Sequence, residues 1–111
     1  MAVLGFSENG ADIVTIRKAI FRMILARARS HLTDPADIQE LELSEAMEGI
    51  SFNLLDGDQR ARLVEAVFEG VKSLRDDIAA GQPTEEPTRA GIDEKLDEVL
   101  ALLDRFRGLP R

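Results

Sequence analysis

A chain of 111 residues with 44% hydrophobic and 32% charged side chains is the size of one globular domain and too apolar for wholesale disorder. It contains no cysteine, which excludes a disulfide framework, a cysteine zinc site and a thiol nucleophile. Its net charge of -7 opposes generic binding to nucleic acid, because phosphate contacts require a positive surface.

The apolar spacings favour three and four, and β-branched residues are scattered along the chain, so an all-α protein is predicted. Residues 1–9 read as a flexible N-terminus. The first helix is predicted over 12–32, with Asn9 or Asp12 as its cap and Lys18, Arg22 and Arg29 as a narrow wet stripe. "DPAD" ends it: Asp34 is an N-cap and Pro35 the first residue of a second helix over 35–55. Leu43, Met47, Ile50 and Leu54 form one apolar stripe of that helix, while Ile38, Leu41 and Phe52 project to the other side. Either both faces are covered or the helix bends near Ser44, a choice sharpened by the weak helix former Gly49.

"LLDGDQ" is a stop and restart, with Asp58 as the cap of a third helix over 58–80 whose stripe is Val64, Val67, Val71, Leu74 and Ile78. "GQPTEEPTR" reads as a flexible linker spanning 81–90. Ile92, Leu96, Val99, Leu103 and Phe106 then mark a last helix over 92–107. Four helices most simply make an antiparallel bundle in a single helical domain, 1–111. The linker leaves open whether the last helix packs on its own bundle, on a second copy or on another partner.

Charge is unevenly placed. Residues 1–33 carry five basic and two acidic side chains, net +3, and residues 34–111 carry nine and nineteen, net -10. Between Arg29 and Arg60 there is no Lys or Arg, so the basic first helix and the acidic segment are expected to lie side by side or across a dimer interface, in preference to steering a partner. Glu40, Glu42, Glu45 and Glu48 crowd into that segment. With Leu41 and Phe52 as apolar anchors, they are the candidate partner-binding residues.

The stretch "E42-L-S-E45" resembles the ExxE of the all-α MazG-like nucleotide pyrophosphohydrolases, which bind magnesium with an ExxD on the following helix. Here the following helix offers Glu65 and Glu69, and the ExxD "E94-K-L-D97" comes only beyond the linker. The sole histidine, His31, has no Glu three residues before it, as a ferritin-like site requires, and sits where a helix dipole favours an imidazolium. The hydroxyl residues have no activating His or Lys, and no glycine-rich phosphate loop occurs. No catalytic, metal or cofactor-binding residue is therefore assigned.

The predicted function is that of a small acidic, non-enzymatic helical protein working through protein contacts, as a homodimeric regulator or adaptor. In composition and architecture the chain is also similar to colicin-type immunity proteins, which implies an alternative role of masking a basic partner. A magnesium-dependent pyrophosphohydrolase is the third reading, and binding to DNA is disfavoured by the acidic second helix. No stretch approaches the roughly 20 apolar residues of a membrane span, and "MAVLGFSENGADIV" lacks a basic start before an apolar run. These features predict a soluble cytoplasmic protein, and frequent Ala, Arg, Asp and Leu suggest a bacterial source.

Overall fold

The computed structural model describes residues 1–6 and 13–107. It corrects the all-α expectation: four helices are joined by a three-stranded mixed sheet, giving a mostly helical α/β fold. The elements in order are β1 (Ala2–Gly5), β2 (Ile13–Ile16), α1 (Lys18–Arg29), α2 (Pro35–Met47), β3 (Gly49–Ser51), a 3-10 turn (Phe52–Leu54), α3 (Gly57–Ala79) and α4 (Ile92–Arg107).

The sheet order is β2-β1-β3. β1 runs antiparallel to β2 and parallel to β3, with Leu4 opposite Val14 on one side and Ile50 on the other. A parallel neighbour requires a crossover, which α1 and α2 supply. The first predicted helix therefore begins late, because its opening residues "IVTI" are four consecutive β-branched side chains. Such residues are stiff at χ1 and fit a pleated surface better than a helical turn. Val14 and Ile16 face the core, Ile13 and Thr15 face out, and Arg17, still extended at ψ 145°, caps α1. The N-terminal stretch expected to be flexible holds β1, with Ala2 and Leu4 buried and Val3 exposed. The proposed caps Asn9 and Asp12 lie outside the described residues.

The second predicted helix does not bend at Ser44. That hydroxyl stays inside α2 and donates to the Glu40 carbonyl at 2.8 Å, the usual back-bond of a helical serine. The helix stops instead at Glu48, which takes a left-handed conformation (φ 60°), and the chain leaves it as a strand, hydrogen-bonded to β1 through Val3 N to Glu48 O at 3.1 Å. From there the side-chain period is two, so Ile50 and Phe52 both turn inward.

The remaining local signals are realised with small shifts. Asp34 accepts from Ala36 N at 2.8 Å with Pro35 following. α3 is capped by Asp56, which accepts from Gln59 N at 2.8 Å, two residues before the expected Asp58. Past its end, Gly81 supplies the left-handed residue (φ 71°) that a helix terminus favours. α4 covers Ile92–Arg107 as predicted.

α3 is the central helix, with α1 and α4 packed on it. Leu96, Val99 and Leu103 of α4 are fully buried in the core that also takes the inner face of the sheet. Two ion pairs fasten the α3–α4 contact, Arg75 to Asp97 at 2.9 Å and Arg107 to Glu65 at 2.9 Å. The 81–90 segment between them has no regular structure, yet it is tied down. Glu86 pairs with Arg22 at 3.2 Å and Glu85 with Arg27, whose guanidinium also reaches Asp77 at 2.6 Å and Ser73 at 3.0 Å. Arg27 thus joins α1, α3 and this loop, and its planar fork suits such a shared role.

Candidate functional site

The acidic run is distributed differently from what the sequence implied. Glu42 pairs with Arg29 at 3.3 Å and Glu48 with Lys18 at 2.8 Å, so two of the four glutamates face cations of α1. The basic helix and the acidic segment do lie side by side. The Lys18 ammonium holds the Glu48 carboxyl below the usual carboxylate range. Glu45 is exposed and Glu40 half-buried. Being half exposed, these surface pairs are worth little stability; their effect is to mute the negative field on that side of α2.

Leu41 and Phe52 are not exposed anchors. They are 3% and 1% exposed, both in the core of their own chain, and the Phe52 ring stacks on Phe6 with centroids 5.1 Å apart. Phe6 stacks in turn on Phe106 at 4.9 Å. The other stripe is the one facing out, so the two faces are not both covered: Leu43 is 50% exposed, Met47 79% and Leu54 76%, with only Ile50 buried.

The inversion has a definite cause. The inward positions of α2 are Asp37, Leu41 and Ser44, spaced four and three, and two of them are polar. A reading by hydrophobicity passes over that stripe. Asp37 can sit at 1% exposure because Arg62 of α3 grips it with both ends of its fork, Nε to Oδ2 at 2.6 Å and Nη2 to Oδ1 at 3.2 Å. The available signal was the 37/41/44 spacing itself, combined with an arginine on the next helix.

The Arg62 guanidinium holds the Asp37 carboxyl below its ordinary range, by hydrogen bonding first, against an opposing effect of burial. Since the folded value lies below the unfolded one, about 3.9, the stabilisation is fully present above that unfolded value. It is lost as pH falls through the folded value. Glu85, held down by Arg27, acts in the same direction. Urea midpoints measured from pH 6 to pH 2 are therefore expected to fall steeply below about pH 4 in the native chain and more gently in Asp37→Asn. Parallel curves would show that the pair carries no such linkage.

The cleft around His31, about 490 Å³, collects Asp34, Asp37 and Glu65 beside Arg62 and Arg107. Two of its carboxylates are engaged, Asp37 by Arg62 and Glu65 by Arg107, while Glu69 also lines it. Among the described residues no group of three or more His, Asp or Glu is arranged to hold a metal ion. In the "E94-K-L-D97" pattern, Asp97 is turned to Arg75. Among the described residues, too, no helix is long and apolar enough to cross a membrane.

What stands out is the outward side of α2. Leu43 and Met47, one turn apart, share a face of a helix that contains no Lys or Arg, with Glu40 three residues before Leu43 on the same side and Leu54 exposed after the strand. Single exposed apolar residues are ordinary; here large ones occur on a helix whose charges are all acidic. Comparison with known proteins adds no identity to this geometry: no family model matches the chain, and neither a curated protein nor a solved structure matches it significantly.

Proposed function

We propose that this protein is a non-enzymatic contact module that binds a basic protein partner through the outward face of α2. The observation that carries the reading is the exposure of Leu43 and Met47 on a helix whose only charged residues are acidic. An apolar anchor flanked on its own helix by Glu40 and by no cation suits a partner presenting a pocket with a basic rim: the anchor supplies affinity and the rim supplies orientation and association rate. A second copy of the chain is a poorer occupant of this face, since two-fold pairing would set like charges against each other.

Self-association has its own candidate surface. The outer face of the sheet carries Val3, Ile13, Thr15 and Ser51, all exposed and none charged. That uncharged face supports the homodimer as the second reading.

A photoreactive phenylalanine analogue placed at Met47 and at Val3 in the native cell separates the two. The first reading expects a salt-sensitive adduct to a heterologous basic protein from position 47, abolished by Leu43→Ser. The second expects an adduct of twice the chain's 12.3 kDa from position 3. Adducts from neither position would defeat both readings.

A further inference from the structure

We propose that the cavity between the end of β2 and the start of α4 binds a small phosphate-bearing anion. The cavity measures about 270 Å³ and is bordered by Thr15, Ile16 and Arg17 on one side and by Arg89, Gly91 and Lys95 on the other. Three of its lining side chains are cationic and none is acidic, in a chain with 21 acidic and 14 basic residues. Six arginines elsewhere, Arg22, Arg27, Arg29, Arg62, Arg75 and Arg107, each have a carboxylate within ion-pair distance, and among the described residues Arg60 does not. Among the described residues, neither Arg17 nor Arg89 has such a partner.

Arg17 carries the argument furthest. Its Nη1 is buried and has no hydrogen-bond acceptor, the sole side-chain nitrogen or oxygen in that condition among the described residues. A buried donor on a charged group left unmade is costly, and an oxyanion in the adjoining cavity supplies the opposite charge, with Nη1 itself brought within reach by a turn of the half-buried side chain. Guanidinium groups match phosphate and carboxylate oxygens in this way. The second side of the cavity adds to it. Arg89 is exposed, and Lys95 is held by a long 3.3 Å contact to Glu98 that an anion can replace. α4 starts at Ile92 on the border of the same space, with Asp93 and Glu94 in its first turn outside the cavity lining.

Convergence of three cations on one helix terminus suits a doubly charged phosphate better than a single carboxylate. The volume lies just below the ~300–1,000 Å³ typical of small-molecule sites, which leaves room for a phosphate with a small organic remainder and excludes a dinucleotide. This site shares no residue with the α2 face, so the two proposals stand or fall separately.

Calorimetric titration of the full chain with inorganic phosphate at constant ionic strength tests it, with acetate as the carboxylate arm. Saturable binding at one site per chain is expected, weakened at least tenfold in Arg89→Gln and abolished in Arg17→Met. Lys72→Gln, an exposed cation outside this cavity, should leave it unchanged. Because Arg17→Met removes a partly buried group, Arg89→Gln is the deciding variant if the former does not fold. Phosphate heats no larger than those of chloride would overturn the assignment, as would equal weakening by Arg89→Gln and Lys72→Gln. Acetate binding as tight as phosphate would overturn the choice of ligand.

Discussion

Truncation of Phe52 to alanine is expected to destabilise the fold by about 3–5 kcal/mol, the range for removing a fully buried aromatic ring. Phe52 is 1% exposed and follows directly on β3, and its ring packs on Phe6, which packs on Phe106. Its loss therefore opens a cavity where the sheet, the 3-10 turn and α4 meet, beyond the area term alone. Since a domain of this size is stable by only ~5–15 kcal/mol, the variant should be partly unfolded at physiological temperature. Met47→Ala provides the contrast: with a side chain 79% exposed, it should change stability by no more than about 0.5 kcal/mol. Urea midpoints for the two variants decide the matter, and a loss at Met47 equal to or larger than that at Phe52 would mean that Phe52 is not the inward residue of this segment.

The second large effect is expected at Gly70. A Cβ built there would lie 2.6 Å from the Ile24 carbonyl oxygen and 2.9 Å from the Ala28 nitrogen, both backbone atoms of α1. The two helices cross at this residue with nothing but hydrogen between them, so even a methyl group forces them apart. In an exposed helix interior, glycine to alanine stabilises by about 1 kcal/mol. Here overpacking of about 1–3 kcal/mol opposes that gain, and because the obstructing atoms are main chain, which cannot rotate away, we expect Gly70→Ala to be destabilising and Gly70→Val more so. The sign itself is the test. A higher urea midpoint in Gly70→Ala would show that α1 and α3 can separate at no cost.

These two residues mark the boundary of what the sequence carried. Gly70 lies inside a helix recognisable from its Val64, Val67, Val71 and Leu74 stripe, yet nothing in the neighbouring sequence tells that it is a crossing point. Phe52 was visible as an apolar residue at odds with its surroundings, and its burial was not.

Several features were determined by the sequence alone. They include the span of α4, the length of α3, the Asp34–Pro35 start of α2 and the juxtaposition of the basic and acidic segments. All rest on interactions between residues within a turn or two of each other, or on bulk charge. The tertiary structure alone decided the sheet, the end of α2 and the direction its faces point. β1 and β3 are four and three residues long, too short for a period of two to declare itself, and each becomes a strand only by pairing with a segment distant in the chain. The inward face of α2 became possible only because Arg62 arrives from 25 residues away to neutralise Asp37. Once a polar residue has such a partner, hydrophobicity no longer reports which side is inside, and Leu43 and Met47 are left on the surface.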